Sequence, residues 1–370
     1  MDSLTQIVLG ATIGVAVLGR RLGPRRAAIA GGLLGTLPDL DVLVRFDDPV
    51  DAFVLHRGWS HSLVVQAAVT PLFGEAMMRF MATLRGQRLL SYAAVYLCLA
   101  THALLDALTV YGTKLLWPLW PEPFAVGSIF IIDPLYTLPL LVATVWALCL
   151  GKWSRRMHVV IGLGLALSTA YQGWCFTAQT IVAGRARSML DQAGVAPMQM
   201  LAIPTPFNSY FWRVIALQDG QYLNLYTPVF GGTEHVTAYA HPRGMAMVPC
   251  LATNGAFGKL AWFSRGYYRL DLRRNEVVFS DLRMGLTPNY AFQYAIAAPR
   301  ADGIRPIPPR RLGSLRGSQA DVEWLLANLR HKPAPRPAES GAGIKITKAI
   351  GEPRPRLTPA GCPAAPKTTG

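Results

Sequence analysis

Residues 38–61 read PDLDVLVRFDDPVDAFVLHRGWSH and form the polar stretch around which the rest of the chain is organised. This stretch carries Asp39, Asp41, His56 and His61 together with a tight Arg-Gly turn, whereas the segments on either side of it are almost wholly apolar. Carboxylates and imidazoles are costly to place beside a membrane unless something binds them. We therefore predict a metal site here, and we expect a later helix to complete it.

The composition of the 370-residue chain is typical of a membrane protein, with 51% hydrophobic and 15% charged residues. This is too apolar for an ordinary soluble domain. The net charge of +15 is scattered through short loops and the C-terminal region, so we expect no specific nucleic-acid partner. The five cysteines show neither metal-site spacing nor a framework pattern, which predicts no disulfide scaffold and no thiolate metal site.

Two short apolar runs, residues 4–18 and 27–37, precede the polar stretch, and each falls short of the roughly 20 residues that a spanning helix needs. They predict a tight helical hairpin, because the small-xxx-small spacing of Gly10 and Gly14, repeated in the second run, lets helix backbones approach closely. Four longer apolar runs, each long enough to span a bilayer, lie at 62–84, 89–110, 128–150 and 157–182. We therefore predict a mainly α fold with a polytopic helical membrane domain over residues 1–183.

Lysine and arginine residues are distributed unevenly between the loops at the two ends of these runs. One set of alternating connections carries Arg20, Arg21, Arg25, Arg26, Arg79, Arg85, Arg88, Lys152, Arg155 and Arg156. The other set carries only Arg45, Arg57 and Lys114. By the positive-inside rule the first set is cytoplasmic. The prediction is a multi-pass protein of the bacterial inner (cytoplasmic) membrane, with its polar site facing the periplasm.

From residue 184 to 298 the pattern changes to short alternating runs rich in Tyr, Phe, Trp and Val, which predicts a small extramembrane β-rich domain. Two pairs of runs are hairpin candidates, one closed by residues 218–220 and the other by residues 273–275. Residues 299–370 are rich in Pro, Ala, Gly and basic residues, which predicts a mostly disordered basic tail. A short helix at 318–330, opened by a serine N-cap, is the structured candidate within that tail.

The clearest ligand pair on one element is His102 and Asp106 in the segment THALLDAL. The two residues are four apart and share one face of a helix, so that a single helix can offer two ligands to a metal. A histidine and an aspartate that form a neutral hydrogen-bonded pair without a metal would show the same four-residue spacing. His56 and His61 are five apart, and a continuous helix would point them in different directions. We expect a bent turn instead, with Ser60 as the N-cap of the next helix.

Asp39 and Asp41 are two residues apart, a spacing at which side chains tend to point in different directions. We therefore expect one of them to bind the metal and the other to orient a histidine. The six predicted metal ligands are Asp39, Asp41, His56, His61, His102 and Asp106. Imidazoles and carboxylates without thiolates suit a divalent metal, Zn²⁺ first, with Mn²⁺ and Fe²⁺ compatible. Six donors exceed what one catalytic zinc needs, which favours a centre of two ions. The sequence leaves open whether Asp2 or Asp133 joins the site.

The motifs MDSLTQ, LPDLD, HRGWSHS and THALLDALTVYGT together resemble the membrane-bound metal-dependent hydrolase family, the LexA-regulated, YdjM-like inner-membrane proteins. The resemblance covers residues 1–296, since PTPFNSYFWRV and FSDLRMG look like that family's extramembrane portion. The family is in turn similar to zinc-dependent phospholipase C and P1-type nucleases, whose ligand cluster includes a His-x3-Asp helix like that of His102 and Asp106. Those enzymes also use an N-terminal amino group as a ligand, for which the Asp2 carboxylate is a candidate substitute. The resemblance implies phosphoester hydrolysis.

We therefore expect a membrane-bound metal-dependent hydrolase that attacks a phosphoester, in a lipid or a small membrane-proximal molecule, through a metal-activated water. Arg57 is expected to steady a phosphate oxygen, and Asp41 to act as the catalytic base if it is not a ligand. The alternative is a non-enzymatic membrane transporter or structural envelope protein with a metal or proton site. In a third hypothesis the β-rich domain is the functional part and binds an envelope partner, and the helical region serves as its membrane anchor. Membrane lipid is an expected partner, and the oligomeric state is left open.

Overall fold

A computed structural model describes residues 1–231, 236–313 and 317–345 of the chain. The described residues divide into two compact units, which are considered separately below. The first, the helical unit, comprises Met1–Arg45, Leu55–Thr177 and Thr205–Ser209. The second, the β unit, comprises Phe46–Val54, Ala178–Pro204 and the described residues of Tyr210–Gly370. A mainly helical region is thus followed by a β-sheet region, as the sequence predicted.

The part of the chain before the first strand is helical. Its α-helices are α1 (Ser3–Leu22), α2 (Pro24–Thr36), α3 (Pro49–Leu55), α4 (Leu63–Phe80), α5 (Arg88–Leu108), α6 (Pro134–Cys149) and α7 (Arg155–Gln192). Short 3-10 turns at Leu37–Leu43 and Trp59–His61 lie on either side of α3. Among the described residues, α1, α5 and α7 are long and apolar enough to cross a membrane, and α6 is a shorter apolar helix.

The first apolar run is longer than we predicted. Asp2 begins α1 by accepting a hydrogen bond from the Thr5 backbone nitrogen, and the helix continues through two arginines to Gly23, where a φ of 78° ends it. The resulting helix has 20 residues. The expectation that this run is too short to span a membrane is therefore wrong, because the run was measured by its apolar residues alone.

Two of the four longer runs are shorter as helices than we predicted. The run at 128–150 forms α6, which has only 16 residues because Asp133 caps it and Pro134 opens it. The run at 62–84 forms α4, which ends at Phe80 and is followed by a separate 3-10 turn. Neither helix is among the three candidate spans of the described chain. The polytopic prediction is thus supported by three helices and not by all the predicted runs.

The first two helices, α1 and α2, form the tight hairpin that their glycines predicted. A Cβ atom on Gly10 would lie 2.5 Å from the carbonyl oxygen of Gly31, and a Cβ atom on Gly31 would lie 2.2 Å from the carbonyl oxygen of Gly10. Both distances are far inside van der Waals contact with backbone, so only glycine fits at this crossing. On another face of α1, the hydroxyls of Thr12 and Thr144 approach to 3.2 Å and join α1 to α6.

The β unit consists mainly of antiparallel strands. They are β1 (Gln199–Pro204), β2 (Phe211–Leu217), β3 (Gln221–Pro228), β4 (Thr237–Pro242), β5 (Tyr268–Arg273), β6 (Glu276–Asp281), β7 (Gly285–Leu286), β8 (Asn289–Tyr290), β9 (Gln293–Arg300), β10 (Gly303–Leu312) and β11 (Gly343–Lys345), with helices α8 (Gly255–Phe263) and α9 (Gln319–Leu329). One sheet has the order β1-β2-β3-β4-β11, another the order β10-β9-β6-β5, and β7 pairs with β8. Both predicted hairpins are confirmed, because β2 pairs with β3 and β5 pairs with β6.

The predicted disorder of residues 299–370 is wrong for much of that segment. β10 pairs with β9, β11 pairs with β4, and α9 is capped by Ser318, which is the N-cap that the sequence indicated. Prolines are tolerated in β10 because it is an edge strand whose register shifts between Pro306 and Arg310. Residues 346–370 lie outside the described residues.

A buried carboxylate ties the last described segment to the first sheet. Glu339 accepts hydrogen bonds from Asn224 at 2.6 Å, from the Tyr226 hydroxyl at 2.7 Å and from Arg336 at 2.7 Å. It also pairs with Nε2 of His241 at 2.7 Å. Burial raises the pKa of Glu339, but the hydrogen bond with His241 and the charge of Arg336 outweigh it and lower the pKa to about 2. Composition does not reveal such a contact, which explains why this segment was predicted to be disordered.

The cysteine spacing indicated no disulfide framework, yet one cysteine of the β unit is in a disulfide bond. Cys250, in the 3-10 turn at Met245–Leu251, is disulfide-bonded. Cys98, Cys149 and Cys175 have free thiols. Disulfides persist mainly in oxidising compartments, so this bond bears on which side of the membrane the β unit occupies.

Candidate metal centre

Four of the six predicted ligands converge in the helical unit. Asp39 comes from the 3-10 turn after α2, His61 from the turn before α4, and His102 and Asp106 from the C-terminal half of α5. One ligand atom from each residue lies within 4.8 Å of the ligand atoms of the other three. Asp39 is 27% exposed at its side chain, while the other three are buried. The cluster therefore has one side that solvent or a ligand can reach.

The separations between donor atoms match those around a small metal ion. Nε2 of His61 lies 3.2 Å from Nε2 of His102, 3.5 Å from Oδ1 of Asp39 and 3.3 Å from Oδ2 of Asp106. Nε2 of His102 lies 3.4 Å from Oδ1 of Asp39 and 3.6 Å from Oδ2 of Asp106. Tetrahedral bonds of roughly 2.0–2.1 Å place ligand atoms about 3.3–3.4 Å apart. The donor set therefore fits a divalent ion of the size and preference of Zn²⁺.

The hydrogen bonds of His102 fix which ring nitrogen is available to a metal. Its Nδ1 lies 2.6 Å from the carbonyl oxygen of Gly35 at the end of α2. A carbonyl oxygen only accepts, so Nδ1 must carry the hydrogen. In the neutral ring the lone pair then lies on Nε2, which faces the cluster. This is the usual arrangement of a histidine metal ligand.

His61 is oriented in the same way by a relay through Ser60. The Ser60 hydroxyl donates its single hydrogen to Oδ2 of Asp41 at 2.8 Å, so that its oxygen accepts from Nδ1 of His61 at 2.9 Å. The lone pair of His61 therefore also lies on Nε2. Two neutral imidazoles thus direct lone pairs at each other across 3.2 Å. Such an arrangement is repulsive unless a cation lies between them.

Asp106 has a buried oxygen that is left without a hydrogen bond. Its Oδ1 accepts from Gln6 Nε2 at 3.0 Å and contacts the backbone nitrogen of Met1. Its Oδ2 is 2.9 Å from Nε of Arg57, yet neither atom has a hydrogen-bond partner among the described residues. Proximity without hydrogen-bond geometry leaves Oδ2 free to face the two histidines. A buried, unsatisfied carboxylate oxygen is costly and is a good metal donor.

Asp41 and His56 lie beside the cluster and are paired with each other. Oδ1 of Asp41 is 2.8 Å from Nδ1 of His56, and its Oδ2 accepts from the Arg57 backbone nitrogen at 2.9 Å as well as from Ser60. Asp41 therefore orients its neighbours, as we expected of one member of the carboxylate pair. His56 is 28% exposed at its side chain and is outside the group of four.

The pKa shifts of the turn residues follow from the same contacts. Burial raises the pKa of Asp39, but the imidazoles of His102 and His61 beside it outweigh burial and bring the pKa far below its usual value. For Asp41, burial is outweighed by the hydrogen bond with His56, and its pKa is also lowered. Burial lowers the pKa of His61, whereas the carboxylates of Asp106 and Asp39 beside its ring raise it by more.

The turn of the HRGWSHS motif is confirmed, with one correction. Arg57 has a φ of 59° and reverses the chain after α3, which lets His56 and His61 approach to 6.2 Å between ring centroids. The N-cap of α4 is Ser62, whose Oγ accepts from Val65 N at 3.3 Å, and not Ser60 as we expected. The reason is that Ser60 is held by Asp41 in the preceding turn.

The two residues that the sequence left open do not join the group of four. The Asp2 side chain accepts hydrogen bonds from the backbone and hydroxyl of Thr5 at the start of α1. The Asp133 side chain accepts from Tyr171 at 2.9 Å and caps α6. Gln6 was missed, although its signal was present as the one amide side chain in the largely apolar α1.

The part of the chain that carries this site is similar to a known family. Residues 1–182 match the family model described as YdjM inner membrane protein. The inner membrane protein YbcI of Escherichia coli K12 is 34% identical over 119 residues, which span 32% of this chain and 66% of that protein. No solved structure matches the chain.

All the clustered donors and Arg57 fall within the family region, and the β unit lies mostly beyond it. The family assignment and the three apolar helices support the predicted inner-membrane location. The names of the family and of the relative give a location and no activity.

Proposed function

We propose that this chain is a metal-dependent hydrolase that cleaves a phosphoester in a lipid or another membrane-proximal substrate. The observation that carries the proposal is the pair of Nε2 atoms of His61 and His102, which face each other at 3.2 Å with one oxygen each of Asp39 and Asp106 within 3.6 Å of both. A divalent ion held by these four groups would supply positive charge for the phosphoryl oxygens, and it would polarise a water by expanding to five ligands. Zn²⁺ fits the spacing best, and Mn²⁺ and Fe²⁺ accept the same donors.

One ion accounts for the four clustered donors more simply than the two that we first favoured. A second ion would need Asp41 and His56, whose facing atoms are engaged with each other at 2.8 Å. Both oxygens of Asp41 accept hydrogen bonds, and its pKa is lowered, which makes it a weak base. We therefore propose Asp41 as a positioning residue for His56 and His61. The half-buried imidazole of His56, with Nδ1 held by Asp41, is the better candidate to carry a proton to or from substrate.

The guanidinium group of Arg57 is well placed to bind a phosphate oxygen. It is buried, lies 2.9 Å from Asp106, donates to the Thr109 hydroxyl at 3.4 Å and stacks 4.9 Å over the Tyr111 ring. A buried arginine with unused donors beside a metal-binding carboxylate is suited to an anionic substrate. Asp39 is the most exposed of the four donors, so substrate would reach the cluster from its side.

We also propose that the cluster faces the periplasm. The basic residues of the connections lie at the opposite ends of the helices from His102 and Asp106, which is the arrangement expected for a cytoplasmic set. The disulfide at Cys250 favours an oxidising compartment for the β unit. A proton or metal transporter is the second candidate, because His102 and Asp106 lie on α5, which is a candidate span.

The test is hydrolysis of a chromogenic phosphodiester by the purified full chain, measured after metal removal and after addition of Zn²⁺ or Mn²⁺. We expect activity that depends on metal and that falls by at least 100-fold, on the order seen for loss of a central catalytic group, in His61→Ala. His158→Ala is the matched control, because His158 is exposed on α7 outside the cluster. Activity that survives chelation, or that falls equally in both variants, would contradict the proposal. Metal-driven transport in vesicles without hydrolysis would favour the transporter.

A further inference from the structure

A second polar feature of the helical unit lies at the connection between α4 and α5. A groove of about 630 Å³ is lined there by the charged residues Glu75, Arg79, Arg85 and Arg88. Arg88 is the first residue of α5, whereas His102 lies about 20 Å further along the same helix, at roughly 1.5 Å per residue. The groove is therefore distinct from the candidate metal centre.

The charges in this groove do not balance. Glu75 accepts hydrogen bonds from Nε of Arg88 at 3.0 Å and from the Tyr92 hydroxyl at 2.7 Å, so one acid is neutralised by one arginine. Within the described part of the chain, the guanidinium groups of Arg79 and Arg85 have no hydrogen-bond or ion-pair partner. The groove thus presents two unpaired positive charges with five donors each.

Large apolar side chains are exposed beside these charges. Leu72 lines the groove and is 70% exposed, Phe80 is 84% exposed, and Leu89, which is the second residue of the candidate span α5, is 85% exposed. Exposed apolar side chains next to guanidinium groups at the end of a candidate spanning helix suit the bilayer interface, where acyl chains and charged headgroups lie side by side. A small anion from water would make no contact with the exposed side chains of Leu72, Phe80 and Leu89.

We propose that this groove binds the headgroup of an anionic phospholipid, with Arg79 and Arg85 holding the phosphate and Leu72, Phe80 and Leu89 packing against the acyl chains. Guanidinium groups bind phosphate oxygens through paired hydrogen bonds, and basic pockets between membrane helices on the cytoplasmic side select anionic lipids. The site would also fix the depth of the first turn of α5 in the membrane. The proposal does not depend on the hydrolase function.

The experiment is native mass spectrometry of the purified full chain titrated with phosphatidylglycerol or phosphatidylcholine. The test variant is Arg79→Gln with Arg85→Gln. The control is Arg20→Gln with Arg26→Gln, which removes the same charge from two exposed arginines outside the groove. Circular dichroism checks that both variants fold. A third variant, with lysine at positions 79 and 85, keeps the charge and serves if the glutamine variant does not fold.

We expect phosphatidylglycerol to bind more tightly than phosphatidylcholine, with affinity on the order of tenfold lower in the glutamine variant at positions 79 and 85. The control should stay within twofold of the wild type, and the lysine variant within threefold. Equal binding of the two lipids, or an equal loss in the control, would overturn the proposal in favour of diffuse charge attraction. Competition by millimolar inorganic phosphate would overturn it in favour of a free-phosphate site.

Discussion

Replacement of Ser60 by alanine tests whether the relay from Asp41 to His61 positions a metal ligand. The Ser60 hydroxyl is 2.9 Å from Nδ1 of His61 and 2.8 Å from Oδ2 of Asp41. Its loss removes the acceptor that keeps the His61 lone pair on Nε2, and it leaves Nδ1 facing a carboxylate 3.7 Å away. Loss of such a supporting contact typically weakens metal binding 10- to 100-fold, or by about 1.4–2.7 kcal/mol.

The assay is competition for Zn²⁺ between the purified protein and a chromophoric chelator of known affinity. Ser62→Ala is the matched control, because Ser62 is adjacent in sequence and its hydroxyl caps α4 without contacting either histidine. Ser62→Ala should lower the free energy of unfolding by about 1 kcal/mol, which is the usual cost of a lost N-cap, and it should leave the affinity for Zn²⁺ unchanged. If Ser60→Ala binds Zn²⁺ within twofold of the wild type, the tautomer argument for His61 is wrong.

Three further predictions concern the fold. Gly31→Ala should destabilise the α1–α2 hairpin by about 1–3 kcal/mol through overpacking, whereas Gly32→Ala should be tolerated because its Cβ would lie 3.5 Å from the nearest atom. Thermal denaturation in detergent compares the two variants, and equal melting temperatures would contradict the close contact between α1 and α2 at Gly31. Glu339 has a lowered pKa of about 2, so it stabilises the fold above its unfolded pKa of 4.5, and this stability, about 3 kcal/mol, is lost as the pH falls from 4.5 towards 2. Glu339→Gln should flatten that pH dependence in denaturant titrations, and an unchanged slope would contradict the buried contact. Cys250 should react with a maleimide only after reduction, and labelling of the unreduced, denatured chain at Cys250 would contradict the disulfide.

Much of the candidate site could be predicted because its chemistry is local. His102 and Asp106 share a helix face by their spacing alone, and the Arg57-Gly58 turn indicated a bend between the two histidines of its motif. The division of labour between Asp39 and Asp41 could be anticipated only in outline. Which carboxylate joins the cluster depends on the path of the 3-10 turn that carries both, and that turn contacts α2, α5 and the Trp59–His61 turn.

Other parts of the structure depend on contacts between distant residues. Gln6 reaches Asp106 only because α1 packs against α5, and no pattern within α1 indicates that partner. The C-terminal segment was predicted to be disordered from its Pro and Arg content, yet Arg336 and Glu339 order part of it through a single buried network with the first sheet. Helix ends were misjudged for a simpler reason, since caps such as Asp2 and Asp133 decide helix length and apolar runs do not.

We propose that Asp39, His61, His102 and Asp106 hold one divalent metal ion. The most direct measurement is elemental analysis of the full chain extracted in mild detergent without chelators, beside His102→Ala and the control His158→Ala. We predict about one equivalent of metal in the wild type and in the control, and less than a tenth of an equivalent in His102→Ala. A wild-type protein without stoichiometric metal, or a His102→Ala variant that retains it, would contradict the claim.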